Sequence, residues 1–319
     1  MVFATIIIAL AGCAPATTGG DSGGKAGGTY KITLIKGVNG DPFYVTMACG
    51  AQAAADKLGV KLSVTGGDSW SADVQTPVVN SVVAQKPDAV LIAPNDATAM
   101  QAPLQQLVSQ KIKLVIVDTG VNDESIAASV ISSDNLLGGK TAADLLGEQI
   151  GGKGSVFVMN VKTGITTTDQ RTKGFLDEMA AKYPNVTILD TQYNNDEPAQ
   201  AASITQAQLA AHPDLAGIFA TNVNGAEGTA TGLQQAGKKS GDVKVISYDA
   251  GPKQVEDLKA GIVQGLVAQD PYTEGMQGVE QAYAALTGGT VKKAVKTELA
   301  PITVDTLGTN AKFLYKDQC

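Results

Sequence analysis

From residue 29 onward, short apolar runs rich in β-branched residues take turns with segments whose apolar positions repeat every three to four residues. The first series of runs is Tyr30–Lys36, Val60–Thr65, Asp88–Ala93 and Ile112–Asp118; the helical segments between them are Phe43–Leu58, Ala72–Gln85 and Ala97–Gln110. The runs barely alternate in polarity, which predicts strands buried on both faces of a parallel sheet. Strands taking turns with helices imply right-handed crossovers and a doubly wound sheet.

The pattern then restarts. Val130–Ser132 leads into a helix over Leu136–Ile150, and Ser155–Asn160, Val186–Thr191, Leu215–Thr221, Val243–Tyr248 and Val263–Ala268 read as strands. Helices are expected at Asp169–Tyr183, Ala199–Ala211, Glu227–Gln235, Gln254–Ala260 and Tyr272–Leu286, with an extended stretch to Val304. Two series of this kind predict an α/β protein with two doubly wound parallel-sheet lobes joined by a hinge, with a cleft between them. The length of 319 residues suits two domains.

Composition narrows the function. The net charge of −7 disfavours nucleic acid, whose binding draws on basic patches. Three cysteines without a C-x-x-C pair and a single histidine, His212 at a helix end before Pro213, supply no metal-ligand set. Arg171 is the only arginine, at an expected strand-to-helix loop, where open α/β sheets carry their ligand sites. It offers a planar fork for adjacent oxygens.

Val2–Ala11 is apolar and too short to span a bilayer. Leu10-Ala11-Gly12-Cys13 resembles the lipobox of bacterial lipoproteins, in which the cysteine is lipidated and begins the mature chain. Such signals open with positive charge, which Met1-Val2-Phe3 lacks, so the natural start is expected upstream. Residues 14–28 have the Gly, Ser and Thr content of a flexible tether. Within it, Gly20-Asp21-Ser22-Gly23-Gly24 looks like a protease serine motif but has no histidine before it. Gly138-Gly139-Lys140-Thr141 looks like the end of a phosphate-binding loop but has Asp134 at the required glycine.

An ordered set of motifs carries a family resemblance. They are Asp41-Pro42-Phe43-Tyr44, Pro87 to Ile92 with Pro94, Val117-Asp118, Ser133-Asp134-Asn135 with Gly138-Gly139, Arg171 with Gly174-Phe175, Ala211 to Asp214, Phe219 to Asn222, Tyr248-Asp249 and Ala268-Gln269. In this order they resemble the type I periplasmic sugar-binding proteins of ABC importers, the ribose-binding group in particular, over about residues 29–304. The resemblance places sugar contacts at Asp41, Phe43, Tyr44, Asp118, Arg171, Asn222, Asp249 and Gln269, each at or just after an expected strand end. Asp41 is read equally as a helix cap. Trp70 is read first as a loop anchor and second as a sugar-stacking plate. Thr119 stands where relatives often carry a second arginine, and Val223 where an acidic residue is common, so the class is expected to hold while ribose itself is not assured. Lys36 and Asp118 with Thr168-Asp169-Gln170 also resemble the autoinducer-2 branch of the fold, so Lys36, Trp70, Thr119, Asp169 and Gln170 form a second rank of candidates.

The resulting expectation is a signal peptide over 1–12 and a lipidated Cys13 with its tether over 13–28. The first lobe is expected over 29–132 with 270–299, the second over 133–269 with 300–319, and a disulfide between Cys49 and Cys319 would return the tail to the first lobe. The implied function is an extracytoplasmic, lipid-anchored, monomeric receptor, without cofactor, metal or catalysis, that closes on a monosaccharide or polyol and docks on an ABC permease. The alternatives are a receptor for a furanose signal or a sensory receptor feeding a chemoreceptor or kinase. Substituting Arg171→Lys is expected to remove most binding and leave folding intact.

Overall fold

The structure, a computed structural model, describes residues 1–2 and 29–319. The lipobox with Cys13, the signal peptide and the tether lie outside the described residues. In chain order the first part comprises β1 (Lys31–Lys36), α1 (Pro42–Leu58), β2 (Lys61–Gly66), α2 (Ala72–Ala84), β3 (Ala89–Ile92), α3 (Gln101–Ser109), β4 (Lys113–Val117) and β5 (Ser129–Ser133). The second runs through α4 (Asn135–Gln149), β6 (Gly154–Asn160), α5 (Thr166–Lys182), β7 (Val186–Ile188), β8 (Gln192–Tyr193), α6 (Pro198–Ala211), β9 (Leu215–Ala220), α7 (Val223–Gln235), β10 (Lys244–Tyr248), α8 (Pro252–Lys259) and β11 (Gly265–Ala268). The chain closes with α9 (Pro271–Thr287), β12 (Ala294–Thr297) and β13 (Ala300–Ile302).

Two sheets result. One has the order β12-β5-β4-β3-β1-β2 and is parallel throughout; the other has the order β13-β11-β10-β9-β6-β7, with only β13 antiparallel. The central strands β3, β4, β6, β10 and β11 are buried along nearly their whole length, as apolar runs without alternation require. In each sheet the strand order reverses beside the first strand of the lobe, β1 or β6, and the site lies beyond the carboxyl ends there.

The chain crosses between lobes after Ser133, after Gln269 and between Thr297 and Ala300. One buried carboxylate ties these crossings together. Glu274, in the first turn of α9, accepts from the Ser133 and Thr297 hydroxyls at 3.1 and 3.0 Å. Burial pushes its carboxyl well above the ordinary range.

Glycine pairs set the helix packing on each lobe. A Cβ on Gly50 would lie 1.9 Å from the Tyr272 carbonyl oxygen, and one on Gly275 would lie 1.9 Å from that of Met47, so α1 and α9 touch backbone to backbone. Gly139 and Gly174 do the same for α4 and α5: the obstructing atoms are the Arg171 and Leu136 carbonyl oxygens, at 2.0 and 2.1 Å. Gly139→Ala gains up to about 1 kcal/mol of helix propensity. The rigid backbone it meets makes the overpacking larger, so a net loss of about 2 kcal/mol is expected in urea unfolding. Unchanged stability would show that α5 can slide away.

Boundaries depart from expectation where side chains intervene. The α3 helix starts at Gln101 rather than Ala97 because Asp96 holds the Thr98 and Ala99 N–H groups in a turn. The α7 helix starts four residues early, at Val223, where the Asn222 side chain caps the Gly225 N–H at 3.0 Å. The strand expected to Thr191 ends at Ile188.

Candidate functional site

A narrow cavity lies between the lobes. Asp41, Phe43, Tyr44, Trp70 and Asp118 line it from the first lobe. Val161, Ile165, Thr167, Thr168, Arg171, Asp196, Asn222, Asp249 and Gln269 line it from the second lobe and the crossing. All eight first-rank residues and Trp70 are therefore brought together.

Asp118 and Asp249 are counterparts. Each directly follows the last residue of its strand, β4 or β10, with φ of +59° and +77°. This left-handed backbone is uncommon for a side chain with a Cβ and concentrates at functional sites. The Tyr44 hydroxyl donates to Asp118 Oδ2 at 2.6 Å, while Gln269 Nε2 and the Tyr315 hydroxyl donate to Asp249 Oδ1 at 2.7 and 2.9 Å.

Asp41 caps a helix and also lines the cavity. Its Oδ1 accepts the Phe43 N–H at 2.8 Å and caps α1, ahead of Pro42 at the first helical position, and the residue also faces the cavity. Asn222 likewise caps α7 with its oxygen and donates through Nδ2 to Asp196 Oδ1 at 2.7 Å.

Arg171 is 3% exposed. Its Nε donates to Asn135 Oδ1 at 2.8 Å, one terminal nitrogen donates to the Thr221 carbonyl at 2.9 Å, and the guanidinium lies 3.8 Å from the Tyr248 ring centre. The rest of the fork is left for the cavity. Phe43 and Tyr44 meet edge to face, and Trp70 stacks on Tyr44 at 6.1 Å between centres. Trp70 is thus both a loop anchor and part of the cavity wall.

Burial dominates the electrostatics. It pushes the Asp41 carboxyl up to about 8, with Asp249, Asp196 and Asp118 adding to the effect against the Phe43 N–H. It raises Asp118 to about 6 despite Arg171 and the Tyr44 hydroxyl, and Asp196 to about 6 despite Asn224 and Asn222. Asp249 is raised by burial as well, against Arg171, Gln269 and Tyr315. Among the described residues, the Trp70 Nε1, Thr168 Oγ1 and Gln269 Oε1 atoms on this wall are buried without a hydrogen-bond partner. Such groups call for a partner.

The second-rank candidates other than Trp70 stand outside the cavity. Thr167, Thr168 and Arg171 share one face of α5; Asp169 and Gln170 point away from it by helical geometry. Asp169 Oδ2 accepts the Gly164 N–H at 2.8 Å, and Gln170 is exposed in an outer groove. The buried Thr119 hydroxyl donates to the Pro94 carbonyl, and Lys36 lies off the cavity near Asp41 and Asp68. Of the residues that resemble the furanose-signal branch, only Asp118 and Thr168 remain on the wall.

Sequence reasoning missed Asp196, Thr167 and Tyr315. Asp196 follows a two-residue strand too short to read, although Asn194-Asn195-Asp196 is a strong turn signal. Tyr315 had one signal, the cluster Phe313-Leu314-Tyr315 close to Cys319.

Contacts across the cleft hold it shut. The Ala97 N–H donates to the Gly164 carbonyl at 3.0 Å and the Gly120 N–H to Thr166 Oγ1 at 2.8 Å, while Lys162 Nζ lies 4.0 Å from Asp96.

Residues 32–290 match the family model described as a periplasmic binding protein domain. The chain is 31% identical over 268 residues to the ribose import binding protein of Salmonella typhimurium, spanning 84% of this chain and 88% of that one. A solved ABC transporter solute-binding protein from Agrobacterium vitis, bound with alpha-D-tagatopyranose, is similar with a TM-score of 0.88 and 41% identity over 90% of this chain and all of that one. A carbohydrate transporter solute-binding protein from Agrobacterium radiobacter, in complex with D-arabinose, gives a TM-score of 0.85 and 28% identity, covering 90% and 98%.

Proposed function

The chain belongs to the periplasmic binding protein family, and we propose that it is an extracytoplasmic receptor that captures a monosaccharide or related polyol and delivers it to an ABC importer. The observation that carries this reading is the set of three unpartnered atoms, Trp70 Nε1, Thr168 Oγ1 and Gln269 Oε1, on residues that line one cavity between the lobes. A sugar supplies what they lack, because each hydroxyl both donates and accepts. Its C–H faces suit Phe43, Tyr44 and Trp70, its hydroxyl hydrogens suit the four carboxylates, and its oxygens suit the free edge of Arg171.

The mechanism is capture by closure, without chemistry on the sugar. The lobes touch across the cleft, so they part about the three crossings for a ligand to enter. A sugar that touches both lobes only when they are closed shifts the population towards closure. The closed form then presents a surface spanning both lobes to an ABC permease. A lipidated Cys13 and the tether that follows it would keep the receptor at the membrane.

Calorimetry against aldoses, ketoses and polyols, followed by small-angle scattering with the tightest of them, tests this. One-to-one binding with a smaller radius of gyration is expected. No heat and no thermal shift with any member would overturn the reading.

A further inference from the structure

The segment from Leu314 to Cys319 touches both lobes. It follows β13, which is paired in the second sheet, and Tyr315 is still on that lobe: its N–H donates to the Ala250 carbonyl at 3.0 Å. The Tyr315 hydroxyl donates to Asp249 Oδ1 at 2.9 Å and accepts the Gln269 N–H at 3.2 Å. One residue later the chain is on the first lobe. The Lys316 N–H donates to Thr46 Oγ1 on α1 at 2.8 Å, and Lys316 Nζ lies 5.6 Å from the Tyr272 ring centre on α9. Cys319 is bonded to Cys49 on α1, with 5.4 Å between Cα atoms. The disulfide therefore closes a fourth covalent connection between the lobes, beside the crossing at Gln269.

We propose that this segment is a disulfide-closed strap that limits the opening of the cleft and presents Tyr315 as a positioning residue for the ligand site. Two donors, Gln269 Nε2 and the Tyr315 hydroxyl, converge on Asp249 Oδ1 and so aim the other carboxylate oxygen. Without Tyr315 the carboxylate keeps only Gln269 as a side-chain donor and is held less firmly. Three residues separate Tyr315 from Cys319, a reach of at most about 14 Å over four Cα–Cα steps. With Tyr315 held on the second lobe and Cys319 bonded to α1 on the first, the lobes cannot part here by more than this reach. The positioning half of the proposal rests on the sugar-receptor reading; the limit on opening does not.

The test compares the full-length oxidised protein with Cys319→Ser and Tyr315→Phe. Three properties are measured: the ligand-free radius of gyration, the affinity for the tightest sugar of the panel, and thermal unfolding. Cys319→Ser is expected to have a larger ligand-free radius and about tenfold weaker binding. Tyr315→Phe keeps the ring and the disulfide. It is expected to leave the ligand-free radius unchanged and to weaken binding about tenfold or more, the loss of one hydrogen bond to a charged group. A Tyr315→Phe protein that binds normally overturns the positioning role, and a Cys319→Ser protein with the wild-type radius overturns the strap. If Cys319→Ser does not fold, gentle phosphine reduction of the folded wild type makes the same comparison. If no sugar binds the wild type, the receptor reading fails, and the radii of the oxidised and reduced proteins still decide whether the strap limits opening.

Discussion

Arg171→Lys is expected to bind the sugar at least about 100-fold more weakly, a loss of about 3 kcal/mol. The guanidinium is committed on its inner edge to Asn135 and Thr221 and stacked on Tyr248, which leaves its outer edge rigidly aimed at the cavity. An ammonium keeps the charge but cannot hold both inner partners and reach a ligand oxygen as well. The structure changes one part of the expectation drawn from sequence, that folding would be untouched. Asn135 Oδ1 and the Thr221 carbonyl are buried, and each left without a donor costs about 1–3 kcal/mol. The variant should therefore also unfold earlier, by about 2 kcal/mol in denaturant. Affinity within threefold of wild type, measured by calorimetry, would remove Arg171 from the binding set.

The empty protein is expected to close as the pH falls from 8 to 5. Asp41, Asp118, Asp196 and Asp249 line one cavity, where Arg171 offsets Asp118 and Asp249, and burial is the first cause of every upward shift. In an open cleft the same carboxyls face water and titrate near 4. A group whose value rises on closure takes up a proton as the lobes meet. It favours closure fully below its open-state value and loses that effect as the pH climbs through the closed-state value, about 8 for Asp41 and about 6 for Asp118 and Asp196. For Asp41 the effect amounts to about 3 kcal/mol, after allowance for water at the partly open mouth. At pH 8 the ionised carboxylates hold the empty lobes apart until sugar hydroxyls take the place of the protons. Scattering across this range should show the ligand-free radius shrinking in acid and the sugar-bound radius staying level. A ligand-free radius that does not change with pH would mean that the four carboxyls do not control opening.

Much of this was legible in the chain because the physics is local. Unalternating runs such as Val90 to Ile92 and Val115 to Val117 are entirely buried, as their pattern requires. Asp41 ahead of Pro42 marked a helix start by its capping chemistry alone. The cavity residues at strand ends were named by the family resemblance, and the rule that open sheets bind ligands there agrees with it. What escaped depends on helix rotation or on distant sequence. Asp169, Gln170 and Thr168 are neighbours in sequence, and only the face α5 turns towards α4 separates them. Gly228 lets α7 meet the start of α6 closely, since the Pro198 carbonyl oxygen would lie 2.2 Å from a Cβ there, and the one-dimensional pattern does not report that contact. Tyr315 reaches Asp249 across 66 positions, and no periodicity reports such a contact.

The way the chain threads its lobes also bears on how it is made. Apart from the edge strand β13, the second sheet draws its strands from one continuous stretch, residues 154–268. The first lobe is left incomplete until α9 and β12 follow: α9 supplies the glycine contact to α1 and the clasp at Ser133, and β12 supplies the edge beside β5. A nascent chain emerging from the ribosome must therefore keep β1 to β5 waiting while about 140 further residues are synthesised, because long-range closure is slow. A polypeptide that is to pass unfolded through a translocon gains from that delay, since the element that would lock its leading half is among the last to be translated.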